Sequence, residues 1–209
     1  MKSQGFNTDL PELGGACGAP GPARRGWLAM LALALTALLA PALLSAVEPA
    51  VELEYKVKAG YLFNFARFVE WPGEAIPTAT SPIIIGVLAG NEVLPIIQQV
   101  LEGKTVNDHP LVVKSIKAAR PDSGCHILFV SRTVSQSPSE VHEALGSSSA
   151  TLLVGETDNF AEKGGMIGFV REDETFRLRL NLEAATRAGL KVSAKMSSVA
   201  QVVKTKRDK

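Results

Sequence analysis

Cysteine and histidine are scarce in this chain of 209 residues, which has two cysteines and three histidines. Cys17 precedes a long apolar run that starts at Trp27, so Cys125 is the one cysteine in the rest of the chain. If the first segment is removed, an intramolecular disulfide is therefore excluded. The three histidines have no ligand partner at metal-binding spacing, so we predict neither a metal site nor a bound cofactor.

The chain also lacks an excess of charge of one sign, with 22 Lys and Arg against 21 Asp and Glu. After residues 1–46 are set aside, 19 basic and 19 acidic residues remain. Proteins that bind nucleic acid through its phosphates carry a basic surface. The balance therefore gives no electrostatic reason to expect nucleic-acid binding. We expect the basic end, residues 204–209, to be a solvated tail.

Residues 1–46 have the composition of an export signal. Arg24 and Arg25 precede an uncharged run over residues 27–47 that is rich in leucine and alanine. A positive flank, an apolar centre and small residues near the cut site are typical of secretory signals. The run is also long enough for an uncleaved membrane anchor, and the arginine pair weakly resembles a twin-arginine signal. We predict an exported chain with one domain at residues 47–203.

An aromatic-rich segment, residues 56–72, is the most informative part of that domain. It predicts a helix that ends at Pro72, because proline disfavours helical geometry in the residue before it. At about 100° per residue, six apolar residues fall on one stripe that we expect to face the core. These six are Val57, Tyr61, Leu62, Phe65, Phe68 and Val69. Phe63 projects to the opposite side, near Arg67, so either a second layer of the fold or a partner covers it.

The rest of the domain alternates between strand and helix patterns. The predicted strands lie at residues 83–88, 111–116, 127–130, 151–154, 166–170 and 176–181. The predicted helices lie at residues 92–101 with Asn91 as N-cap, 137–146, 182–188 and 193–203. Continuous apolar runs indicate strands covered on both faces, whereas the last two strands read as a hairpin. This order predicts a single α/β domain with a mixed, mostly parallel sheet that has a C-terminal hairpin and is covered by helices.

The last strand, residues 176–181, places apolar side chains on one face and Arg177 and Arg179 on the other. Arginine is favoured on surfaces that recognise other proteins. The alternative is a solvated strand face that carries protective charges. Together with Phe63 and Arg67, these two arginines are our predicted partner-binding residues.

No residue pattern commits the chain to a reaction. Cys125 and His126 are consecutive in a predicted strand and therefore point to opposite faces, which excludes them as a nucleophile–base pair. Residues 86–91 lack the third glycine of a dinucleotide fingerprint and the lysine of a phosphate loop. No serine lies in a nucleophile elbow. We predict no catalytic site, and a Cys125 that is buried.

Four ordered stretches resemble the YfiR family of exported proteins. They lie at residues 57–72, 125–130, 160–167 and 179–193. The resemblance runs from about residue 54 to residue 203, which is essentially the whole predicted domain. Better-known members of the family carry disulfides, including one near the Gly-Gly turn, whereas here only Cys125 remains. Redox control through an internal bridge is therefore not expected in this chain.

The resemblance implies a periplasmic repressor of an inner-membrane diguanylate cyclase. Such a repressor binds the cyclase's periplasmic sensor region, which lowers cyclic di-GMP and biofilm formation. It also implies a homodimer and an outer-membrane lipoprotein that sequesters the repressor. A rival interpretation from another class is a periplasmic receptor for an apolar or aromatic small molecule, bound near the aromatic helix. An enzyme is the third alternative.

Overall fold

The computed structural model describes residues 48–78, 80–88, 92–146, 150–173 and 175–206. The predicted export signal and the predicted N-cap, Asn91, lie outside these residues. The helices are α1 (Glu48–Phe68), α2 (Val93–Leu101), α3 (Pro138–Leu145), α4 (Leu182–Arg187) and α5 (Ala194–Val199). The strands are β1 (Val69–Glu70), β2 (Ile83–Leu88), β3 (Thr105–Val106), β4 (His109–Ser115), β5 (Ile127–Val130), β6 (Leu152–Gly155), β7 (Ile167–Glu172), β8 (Thr175–Leu180), β9 (Lys191–Val192) and β10 (Gln201–Val202).

The main sheet has eight strands in the order β10-β8-β7-β6-β5-β2-β4-β3. Neighbouring strands pair in parallel except at the β7–β8 hairpin and between β3 and β4. Strands β2, β5 and β6 are buried almost throughout, as expected for strands covered on both faces. The predicted fold class is therefore confirmed as a single α/β domain with a mostly parallel sheet and a hairpin.

Helix α1 packs on this sheet through a face that differs from the predicted stripe. Its buried apolar residues are Tyr55, Ala59, Leu62, Phe65 and Ala66, and Val69, the first residue of β1, is buried as well. Val57, which we placed on the core side, is 42% exposed, whereas Lys58 is fully buried. The true core face is thus rotated by roughly 70° from the predicted one. Leu62, Phe65 and Val69 are buried as predicted, whereas the prediction was wrong for Val57, because a hydrophobicity pattern counts a lysine as polar and gives alanine little weight.

Two glycines, one at the end of β6 and one in the turn before β7, pack against the same aromatic ring. A Cβ atom added to Gly155 would lie 2.1 Å from the Phe160 ring, and one added to Gly165 would lie 2.3 Å from it. The ring is fully buried between β6 and the turn before β7. Glycine is therefore required at both positions because no side chain fits there.

The N-terminus of α3 confirms the predicted start of this helix at Ser137-Pro138 and adds a side-chain cap. The Ser137 hydroxyl accepts from the Glu140 backbone N–H, and the Glu140 carboxylate accepts from the Ser137 N–H at 2.6 Å. This reciprocal capping box satisfies two backbone donors that the helix leaves free. The hydrogen bond that the Ser137 backbone N–H donates to the carboxylate lowers the pKa of Glu140.

The C-terminal end differs from the prediction. Helix α5 ends at Val199, and β10 then pairs in parallel with β8. Farther on, the Lys206 N–H donates to the Glu162 carbonyl at 2.9 Å, and Thr205 accepts from the Asn181 side chain at 2.8 Å. The chain is therefore held against the domain as far as residue 206, where we expected a solvated tail. The β-branched pair at 202–203 favours a strand once the helix has ended.

Candidate functional site

A fully buried lysine lies at the centre of the most unusual polar cluster. The Lys58 ammonium on α1 donates to Glu54, one helical turn earlier, at 2.5 Å, and to Glu156. The rings of Tyr55 and Phe176 lie 4.8 and 5.0 Å from it. A buried ammonium must be paired, because its transfer from water without partners costs several kcal/mol. These contacts supply that pairing.

Glu156 is the anion that organises the cluster. It follows β6, and Ser131 and Arg132 follow the neighbouring parallel strand β5, so sheet topology brings the three residues together. One carboxylate oxygen accepts from the Tyr55 hydroxyl at 3.0 Å, the Ser131 hydroxyl at 3.0 Å and the Arg132 backbone N–H at 2.8 Å. The other oxygen accepts from Lys58. We call these residues, with Glu54, the Lys58 network.

Electrostatics within the Lys58 network favour the charged form of Glu156. Burial alone raises the pKa of this carboxyl, but the charge and hydrogen bond of Lys58 and the contacts of Arg132 outweigh it. The pKa of Glu156 therefore lies below its ordinary value. Burial, followed by the nearby Glu156 charge, raises the pKa of Tyr55 to about 12. Tyr55 thus stays protonated and donates its hydrogen bond to Glu156.

An open cavity of about 370 Å³ adjoins the Lys58 network. It is lined by Lys58, Arg132, Glu156, Thr157, Asp158, Phe169, Arg171 and Phe176. The side chains of Arg132 and Arg171 lie at its rim, and both pair with Glu54. The cavity therefore combines cationic groups with two aromatic walls at the carboxyl ends of the parallel strands.

The predicted interface residues Phe63 and Arg67 belong to a continuous surface cluster. Phe63 is half-buried against the core, and the Arg67 guanidinium carbon lies 5.9 Å from its ring centre. The same carbon lies 5.6 Å from the Phe68 ring. Lys104 lies 5.7 Å from the Phe63 ring, and Lys195 lies 5.4 Å from the Phe68 ring. We call these five residues the cation–ring row. A second segment of the fold, at Lys104, thus covers part of Phe63.

The two predicted arginines of the hairpin have different surroundings. Arg177 is exposed, pairs with Glu172 across the hairpin, and lines a groove of about 550 Å³. Arg179 is 28% exposed and donates to Glu162 at 2.6 Å and to the Asn159 side chain at 3.1 Å. The structure brings neither of them into contact with Phe63 or Arg67. A role in partner binding stays a prediction for all four residues.

Cys125 and His126 have separate structural roles, one as a buried thiol and the other as a hydrogen-bonded ring. Cys125 is buried, as predicted, and burial raises the pKa of its thiol to about 11. The His126 ring accepts from the Ile84 N–H at Nδ1 and lies 2.9 Å from the Ala75 carbonyl at Nε2. Because Nδ1 accepts, Nε2 carries the proton. This histidine therefore ties β2 to the preceding loop, beside the Trp71 ring.

The part of the chain that the structure describes holds no group of three or more His, Cys, Asp or Glu side chains arranged to bind a metal ion. Within the same residues, no helix is both long and apolar enough to cross a membrane.

The fold and the Lys58 network define a single-domain α/β protein with a polar cavity at the carboxyl ends of parallel strands, where such folds commonly bind ligands. The chain belongs to the YfiR/HmsC-like family, because the family model matches residues 55–201. That span is more than two thirds of the sequence and confirms the resemblance seen in the four motifs. No curated protein matches the chain. Membership links it to the regulation of diguanylate cyclase signalling, in a family that is regulatory rather than catalytic.

Sequence reasoning missed the Lys58 network. A lysine in a helix is ordinarily expected to be solvated. Its partner Glu156 lies 98 residues farther along the chain, so no local pattern connects the two. One signal was present in the sequence. Lys58 interrupts the apolar positions of α1 at helical spacing from Tyr55, Leu62 and Phe65, so it had to face the same side as they do.

Proposed function

We propose that this protein is an exported regulator that represses an inner-membrane diguanylate cyclase by binding the cyclase's periplasmic sensor region. Repression lowers cyclic di-GMP and biofilm formation. The observation that carries the proposal is the family match over residues 55–201. Repression requires that the protein bind an inactive arrangement of the cyclase more tightly than the active one. The homodimer and the sequestering outer-membrane lipoprotein belong to the same proposal and derive from the resemblance alone.

The proposal is tested by deleting the gene and measuring cyclic di-GMP, together with co-purification of the tagged protein from its own cells. We expect cyclic di-GMP to rise on deletion and a diguanylate cyclase with a periplasmic region to co-purify. Unchanged cyclic di-GMP, with no cyclase recovered, would refute the proposal. Re-expression of the exported wild-type chain is the control and should restore the low level.

A second candidate function is a receptor for an aromatic small molecule, and the cavity beside the Lys58 network favours it. Phe169 and Phe176 provide two ring faces there, while Arg132 and Arg171 would attract a negatively charged group. Ligands that bind only the folded state raise its melting temperature. A melting shift with a panel of aromatic acids, lost in Phe176→Ala and Arg171→Ala but kept in Arg187→Ala, would support the receptor. No shift across the panel would argue against it.

A further inference from the structure

The cation–ring row alternates three cationic side chains with two phenylalanine rings. In order, the row contains Lys104, Phe63, Arg67, Phe68 and Lys195, with each cation 5.4–5.9 Å from a ring. Its members come from three separate segments: α1, the turn after α2, and α5. Contacts at this distance lie within the range of cation–π attraction. The rings therefore hold the cations in place along one surface.

Backbone hydrogen bonds join the segments of Phe68 and Lys195 to each other and hold Lys104 in the turn between α2 and β4. The Ser193 N–H, at the cap of α5, donates to the Phe68 carbonyl at 2.9 Å. Strand β1, which follows Phe68 directly, pairs with β9. Lys104 is held by its own N–H, which donates to Leu101, and by its carbonyl, which accepts from Leu111. The row is consequently preorganised, and a partner would not have to order it.

The cations of the row differ from several other exposed cations in their neighbours. Lys56, Arg177 and Arg187 each pair with a carboxylate. Among the residues that the structure describes, no carboxylate lies within 4.0 Å of the charged groups of Arg67, Lys104 or Lys195. All three side chains are exposed. The row therefore presents three positive charges beside apolar surface.

We propose that the cation–ring row is the docking surface for an acidic segment of a partner protein, with carboxylates that meet the three cations and apolar side chains that cover the rings. This inference rests on the proposed function, since it describes the kind of surface that the cyclase's periplasmic region would present. Charge complementarity supports this inference. The carboxylates of a partner can pair here with three cations that have no carboxylate partner among the described residues. A lipid surface fits less well. Phe63 and Phe68 are half-buried against the core, which leaves only part of each ring available for burial in a bilayer.

The test uses two variants of the exported protein that carry equal changes in charge. The row variant is Arg67→Glu, Lys104→Glu and Lys195→Glu. The control variant is Lys117→Glu, Arg120→Glu and Arg187→Glu, three exposed positions outside the row. Circular dichroism and thermal melting are used to check that both variants remain folded. If the row variant fails to fold, the single variant Lys195→Glu takes its place, since the Lys195 side chain is exposed and its ammonium group lies beside the Phe68 ring.

The first probes are two synthetic helical peptides. One carries glutamate residues beside leucine residues, and the other is identical except that glutamine replaces each glutamate. We expect the wild-type and control proteins to bind the glutamate peptide at least about tenfold more tightly than the glutamine peptide, and salt to weaken that preference. The row variant should lose the preference. No preference in the wild type, or equal loss in both variants, would overturn the inference. Row-dependent sedimentation with phosphatidylglycerol vesicles, without a peptide preference, would also overturn it and would assign the row to a membrane surface.

The second probe is the purified periplasmic region of the diguanylate cyclase that the co-purification experiment identifies. Weaker binding by the row variant alone, by about tenfold or more, supports both proposals. Unchanged binding by the row variant leaves the proposed function standing and refutes the row as the docking surface. If the wild type binds no cyclase but keeps its preference for the glutamate peptide, the proposed function fails while the inference about the row stands.

Discussion

Lys58 and Glu156 form a buried ion pair between α1 and the end of β6, although 98 positions separate them in sequence. Side-chain exposures of 0% and 1% show that both charges are almost completely shielded from solvent. Removing one partner of a buried pair leaves the other charge buried without a partner. This lowers the free energy of unfolding by more than the intact pair contributes to it. The burial of this face of α1 against the sheet therefore requires that the Lys58 ammonium group stay paired.

Lys58→Met should destabilise the fold by about 3–5 kcal/mol, because Glu54 and Glu156 lose their shared cation. Urea unfolding monitored by circular dichroism measures the loss. Lys56→Met is the matched control on the same helix, because Lys56 also pairs with a glutamate four residues earlier but both side chains are exposed. That change should cost less than about 1 kcal/mol. Equal costs for the two variants would contradict a stabilising role for the buried pair.

Glu156 should make stability fall in acid. The pKa of the folded state lies below the ordinary value of 4.5, so the contribution of this carboxylate is complete above that pH. It is lost as the pH falls through the lowered pKa of the folded protein. Unfolding free energies between neutral pH and about pH 3 should therefore fall less steeply in Glu156→Gln than in the wild type. Glu183→Gln, at an exposed position of α4, is the control and should retain the wild-type slope. A Glu156→Gln curve parallel to that of the wild type would be inconsistent with this account.

The Cys125 thiol should be unreactive in the folded protein. It is buried, and burial raises its pKa to about 11, so little thiolate exists near neutral pH. Iodoacetamide labelling of the protein without its signal region, followed by mass spectrometry, should be slow until urea unfolds the chain. Labelling of the folded protein at the rate of the urea-unfolded chain would show that the thiol is accessible.

Phe63→Ala should weaken partner binding more than it weakens the fold. Phe63 is half-buried and borders the core, whereas Phe65 is fully buried two positions later. Phe65→Ala should cost about 3–5 kcal/mol of stability, and Phe63→Ala clearly less. Melting and urea unfolding of the two variants provide the comparison. If Phe63→Ala costs as much as Phe65→Ala, Phe63 is a core residue and the interface interpretation of this ring fails.

Most of the fold could be predicted because its signals are local. The apolar run at 127–130 became β5 with the same bounds, and α3 begins after Ser137, where a helix was predicted to start. The orientation of α1 could not be predicted, because it depends on a lysine that is buried only when β5 and β6 bring Ser131, Arg132 and Glu156 to it. Similarly, Phe63 and Arg67 could be chosen from helical spacing, but Lys104 and Lys195 reach them only through tertiary contacts.

Epistasis between this gene and its cyclase tests the central claim most directly. Cyclic di-GMP is measured in the wild type, in cells without this gene, in cells without the cyclase, and in cells without both. Repression predicts a rise when this gene is deleted, and no rise when the cyclase is deleted as well, because the nucleotide then has no repressed source. A rise that persists without the cyclase, or no rise at all, would contradict the claim.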